Sequence, residues 1–281
     1  MNTTTLTSAV VAGAQVPSIG VPADASVQYL LRLADTMLIL TQRLSEWCGH
    51  APVLEEDIAL TNMALDLIGQ ARAVLTLAGQ RVADVTGGAV LDEDQLAFLR
   101  DERDYRNPTL VELPNGLAGR PDFAFTVLRN LVVSTWLLAM WQHLADSSNE
   151  ELAGIAGKAV KEARYHQQHA ADWVVRLGDG TAESARRTQQ ALDRLWRYVP
   201  ELFEDDAVDD AAVESGLGPA SSQLKAACEA ALLAVLAEAQ LTVPAPSTFR
   251  STGRRGVHSE HMGFLLAEMQ HLPRSFPGGA W

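Results

Sequence analysis

Apolar residues return along this chain at helical intervals. Between Leu54 and Gly79, the residues Ile58, Met63, Leu65, Ile68, Val74 and Leu75 are set among the polar Asp57, Thr61, Asn62, Asp66, Gln70 and Arg72. No stretch alternates strictly over six or more residues, so strands have little support. The pattern predicts long helices at about 27–48, 54–79, 122–146 and 149–177. Shorter ones are expected near 182–203, 221–240 and 259–272, with a further one at 92–103.

End signals support several of these bounds. Pro52 precedes the second helix, whose first turn carries Glu55, Glu56 and Asp57, the charge sign favoured at a helix N-terminus. Gly79 is expected to stop it. Ser148, with Glu151 three residues on, has capping-box spacing, and Arg176 before Gly178 closes that helix. Four helices of six or seven turns on short links predict an all-α, antiparallel four-helix bundle with additional C-terminal helices. Residues 26–281 read as a single domain. Residues 1–25, rich in Ser, Thr, Ala and Pro, read as a flexible tail.

Composition narrows the function classes. Hydrophobic residues make up 47% of 281, enough for a sizeable core, and the net charge is −13. That balance argues against nucleic acid or an anionic membrane as a partner, since both need a basic surface. The longest strongly apolar stretch, Leu131 to Trp141, is about half of a bilayer span. Cys48 and Cys228 are too few for a disulfide framework, and a cytoplasmic protein is expected.

For a long four-helix bundle the chemistry to test is a carboxylate-bridged di-iron centre. It needs a Glu from each of two helices and an ExxH pair from each of the other two. The helix at 54–79 has no histidine. The helix at 149–177 holds Glu162 and His166 at ExxxH spacing, continued by His169 and Trp173, and the simplest reading is that Glu162 and His166 satisfy each other. The one ExxH, Glu268 and His271, lies in the last helix with His258 and His261 upstream. It reads as an interaction segment with surface hydrogen bonds in preference to a metal site. His50 and His143 have no ligand-spaced neighbour, and Cys48 beside His50 reads as a half-buried thiol. The acidic run Glu204, Asp205, Asp206, Asp209 and Asp210 reads as a solvated loop, as do Arg250, Arg254 and Arg255, which could otherwise meet a ligand phosphate or an acidic partner surface.

Six segments carry a resemblance. They are Arg43–Pro52 (RLSEWCGHAP), Leu65–Arg72 (LDLIGQAR), Arg100–Asn107 (RDERDYRN), Val111–Gly116 (VELPNG), Lys161–His166 (KEARYH) and Gly256–Gly263 (GVHSEHMG). In this order, from about Tyr29 to Trp281, they resemble the C-subunit family of the bacterial ring 1,2-phenylacetyl-CoA epoxidase. The resemblance implies a ferritin-like, non-catalytic subunit that pairs with a di-iron A subunit and with other small subunits. It implies no cofactor in this chain, with NADPH, FAD and iron–sulfur in a separate reductase. Laid on the A-subunit pattern, the ligand positions become Met37, Leu67, Gln70, Ser134, Ala163 and His166. A lone imidazole cannot hold two irons, so the implied site is degenerate, and His166 is expected to bond core polar groups such as Asp66 or Gln70. Leu131–Trp141 and the segment from Gly256 are candidate contributors to the subunit interface. Two alternatives remain: a bundle binding a small CoA ligand, or an independent metal enzyme using Glu268 and His271 or the Glu162/His166 pair.

Overall fold

The computed structural model describes residues 17–116 and 120–276, and within them nine α-helices and no strand. They are α1 (Ala25–Ser45), α2 (Leu54–Thr86), α3 (Glu93–Phe98), α4 (Phe123–Leu144), α5 (Glu150–Gly178), α6 (Ala182–Leu195), α7 (Ala207–Ser215), α8 (Lys225–Glu238) and α9 (Glu260–Ser275). Short connections make α1 with α2 and α4 with α5 two antiparallel hairpins, and α2 lies along α5 to join them into a ferritin-like bundle. Met37, Leu60, Val74, Val127, Trp141 and Ala170 have essentially no exposure at its centre. Each large side chain there contributes about 1.5–3 kcal/mol by burial.

Helix α4 is apolar on nearly every side because it is enclosed, packed by α5, α6 and α8. It is long and apolar enough to cross a membrane, but 89% of its apolar window is buried inside the fold. Such hydropathy is core composition.

Several boundaries differ from the sequence expectation, each for a physical reason. Helix α2 continues past Gly79 to the left-handed Gly87 at φ 67°. Gly79 is needed in mid-helix because a Cβ there would run into the Leu91 carbonyl of the returning chain. Asn149, not Ser148, caps α5, accepting from the Leu152 N–H at 2.8 Å, while the Ser148 hydroxyl donates to the Ser215 carbonyl. The 182–203 segment is split, α6 giving way at Leu195 to a 3₁₀ stretch, Trp196–Phe203, that contains Pro200. The 92–103 segment is only the short α3 and a separate turn at Glu102–Asp104. Helix α9 runs through Pro273 to Ser275.

Within the expected tail, residues 1–16 lie outside the described residues. Residues 17–24 run along the fold, with the Ile19 N–H donating to the Leu99 carbonyl at 2.9 Å. Asp24 then caps α1 through the Ser26 and Val27 N–H groups.

The acidic run is not a solvated loop. It contains α7, and Asp209 is fully buried, accepting from Arg32 at 2.8 Å and Arg254 at 3.3 Å. Arg32 also pairs with Asp206, and those contacts hold the Asp206 carboxyl far below the usual range even though burial opposes ionisation. Arg254 is correspondingly buried, whereas Arg250 and Arg255 stay exposed beside Glu204. A second enclosed pair, Asp35 of α1 with Arg100, has no exposure on either side chain.

Candidate functional site

The four long helices converge on a cavity of about 10 Å³ lined by Leu40 and Leu44 of α1, Met63 and Leu67 of α2, Asn130, Ser134 and Leu137 of α4, and His166 of α5. That is room for about one water molecule. Three of the six candidate ligand positions, Leu67, Ser134 and His166, meet there. Gln70 and Ala163 are buried on α2 and α5. Met37 is fully buried but does not line the cavity, where Leu40, one turn further along the same helix, stands instead.

The polar groups around this point form a fixed set. His166 Nε2 lies 3.0 Å from Asp66 Oδ2, as the sequence suggested for Asp66. Gln70 is occupied otherwise, donating to Glu162 Oε2 at 2.7 Å and accepting from the Trp141 indole at 3.2 Å. Glu162 therefore serves Gln70, and the expected Glu162–His166 pair does not form. The reason is direction: Glu162 reaches across to α2, while His166 turns into the core beside Asp66. Burial draws the His166 pKa below the ordinary histidine value, with Asp66 opposing. One turn on, His169 meets Glu56 at 2.9 Å, and Trp173 packs edge-on against Phe123 at 5.0 Å.

This donor set does not fit two irons. The cavity offers one imidazole, a hydroxyl already donated to the Asn130 carbonyl, and the Asn130 amide. Leu67 and Ala163 bring apolar side chains at positions where the resemblance would put carboxylates. Among the described residues no group of three or more His, Cys, Asp or Glu side chains is placed to hold a metal ion.

The other singled-out residues disperse. Glu268 and His271 are exposed on α9. His50 and His143 each sit against a nearby carbonyl on the surface. Cys48 is exposed, and Cys228 is buried with its thiol pushed up to about 12 by desolvation. Asn130, Leu40 and Leu44 are the residues that sequence reasoning missed. Leu40 was signalled only by lying three residues from Met37 on one helix face.

Comparison with known proteins settles the family. Residues 14–281 match the phenylacetic acid catabolic protein family. The chain belongs to it. A relative from Escherichia coli (strain K12), the C subunit of 1,2-phenylacetyl-CoA epoxidase, is 47% identical over 253 residues, covering 90% of this chain and 98% of the relative.

In this family member the C-terminal histidine cluster contains an internal ion pair, not a surface site. His258 has no side-chain exposure, and its Nδ1 lies 2.5 Å from Glu112 Oε1 while Nε2 faces the Tyr105 carbonyl at 3.2 Å. Both ring nitrogens meet acceptors, so the imidazolium satisfies both. Burial pulls its pKa down, but the Glu112 hydrogen bond and charge, the Tyr105 carbonyl and the charge of Asp35 lift it above the ordinary 6.5. A pKa raised on folding gives stability that is complete below the unfolded value and is lost as pH climbs through the folded one. The stability advantage of the unaltered chain over His258→Gln should therefore shrink as pH rises from about 6 to 9, read from urea unfolding. A gap that stays constant across that range would mean that His258 is neutral.

Proposed function

We propose that this chain is the non-catalytic structural subunit of a multicomponent 1,2-phenylacetyl-CoA epoxidase in phenylacetate catabolism. Its role is to hold a catalytic A subunit of similar fold in its working shape. The observation that carries the reading is the filled bundle centre, where about 10 Å³ remains and where buried Met37, Leu67, Ser134 and Ala163, the positions the resemblance assigns to the four carboxylates, carry no acid group. The 47% identity to the C subunit of an epoxidase, across nearly the whole length of that relative, supports the same reading.

In the assembly, the di-iron centre of the A subunit would supply the oxygen chemistry that converts the aromatic ring of phenylacetyl-CoA to its 1,2-epoxide. NADPH would provide electrons through a separate reductase carrying FAD and iron–sulfur. The residues of this chain contribute packing and shape: a dry bundle is a stiff support, because close-packed interiors yield little. The setting of this assembly is the cytoplasm.

Elemental analysis tests the assignment. The chain purified alone should hold negligible iron, and its complex with the A subunit about two irons per pair. About two irons per chain in the isolated protein would overturn it.

A further inference from the structure

The pattern of apolar positions on α2 does not all point inward. Ile58 and Leu65, which by periodicity belong with the core set, are 53% and 61% exposed, and Leu54 is 72% exposed. Their spacing of four and seven residues sets them on one stripe, about 17 Å long at 1.5 Å per residue. Tyr165 of α5, 53% exposed, lies beside His169, which meets Glu56 of α2. Between α2 and α5, continuing from the stripe at Leu65, lies an open groove of about 560 Å³ whose lining includes Gly69, Ala73, Gly154 and Ala159.

The glycines in this floor have no internal explanation. Gly79 and Gly178, in the same two helices, are each pressed against a backbone carbonyl, of Leu91 and of Ala239. A Cβ at Gly69, Gly154 or Gly157 would meet nothing within 4 Å, and of these Gly69 and Gly154 line the groove. Glycine inside a helix is unfavourable relative to alanine, and without a side chain at Gly69 and Gly154 the groove floor leaves room for a backbone to approach from outside. Charge then selects the kind of visitor. Asp66, Glu151 and Glu162 line the groove against the single Lys158, and the chain as a whole carries −13. A second copy would set like charges against like, whereas a different chain with basic residues beside an apolar ridge would be complementary.

We infer that the α2–α5 groove seats the partner subunit, through an apolar helix flanked by Arg or Lys whose backbone comes close to Gly69 and Gly154. This rests on the structural-subunit reading above. Ridge-into-groove packing of that kind is the usual way for two helical surfaces to join. The length of the stripe is that of a helical segment.

The test uses purified chain and purified catalytic A subunit in titration calorimetry. Gly154→Leu places bulk in the groove at a position with free space, and Leu65→Asp adds charge to the stripe. Both variants should keep the helical circular dichroism and melting temperature of the unaltered chain. Both should weaken binding by about 100-fold or more, while Phe264→Asp on the exposed face of α9 stays within about two-fold. Groove variants that bind like the unaltered chain would overturn the inference, the more so if Phe264→Asp is the weakened one. An isolated chain that sediments as a dimer, dissociated by Leu65→Asp, would also overturn it by giving the groove to a second copy. Failure of the unaltered chain to bind the A subunit at all would instead strike the structural-subunit reading, and the inference would fall with it.

Discussion

Replacing Asp35 by alanine should destabilise the fold by about 3–5 kcal/mol, the loss typical of stranding one member of a buried ion pair. Asp35 on α1 grips Arg100 through both carboxylate oxygens, and its Oδ2 also accepts the Arg106 N–H at 2.8 Å. Arg100 is completely buried, with its guanidinium over the Tyr105 ring at 4.3 Å from the centroid. Without Asp35 that cation keeps only carbonyls of Leu96 and Asp104 as acceptors, and no solvent can reach it. The measurement is urea unfolding at pH 7, reading the midpoint at unchanged slope. Replacing the pair together, as Asp35→Ala with Arg100→Met, should recover much of the loss, because no charge then remains buried. A single Asp35→Ala that costs under about 1 kcal/mol would show that the pair is not isolated from water, since exposed pairs contribute no more than that.

The second large effect is expected at the bundle centre. Leu67→Glu places a carboxylate at a position that the resemblance assigns to a ligand, and it should cost about 3 kcal/mol or more, since a charge enters a nearly filled space without a partner. Added ferrous iron should not restore the loss. The nearest nitrogen donor, His166, is already engaged by Asp66, and the facing positions are Leu40, Leu137 and Met63. Thermal unfolding with and without ferrous iron reads this directly, because a ligand that binds only the native state raises its apparent stability. A rise of several degrees on adding iron would mean that a working ligand set survives, and the structural-subunit proposal would fail with it.

How much of this was legible in the sequence depended on whether the deciding partner was near in the chain. The four long helices follow from periodicity and end signals to within a few residues, except that α2 outruns Gly79. There the glycine answers to Leu91, a contact across a loop, and a local stop signal cannot be told from a local need for space. The acidic segment misleads for a related reason. Asp209 is paired by Arg32 from 177 residues away and by Arg254 from 45, and a run of carboxylates looks solvated until those cations arrive.

At the candidate site, Leu67 and Ser134 came from the resemblance, whereas His166 was already marked by its ExxxH spacing from Glu162. On the first helix Leu40 lines the cavity and Met37, one turn earlier, does not, a difference sequence does not settle because a helix face repeats every three to four residues and offers no unique register. Ile58 and Leu65 show the opposite limit. Their hydrophobicity is plain, but sequence cannot say whether an apolar stripe meets its own core or another chain.

The closing segment of the chain has a consequence for how the protein is made. Glu112 and Glu201, both buried, receive His258, Ser259 and the Arg254 N–H, and Gln270 reaches the Tyr105 hydroxyl and the Arg100 carbonyl. All of these donors leave the ribosome after every one of the four long helices has already emerged. A nascent chain can thus form its helices as it is synthesised, but it cannot seal its core until translation is almost complete. A message cut before codon 254 would yield a product with all its long helices, in which, among the described residues, the buried carboxylates of Glu112 and Glu201 keep only the Asn107 amide and the Thr109 N–H as donors.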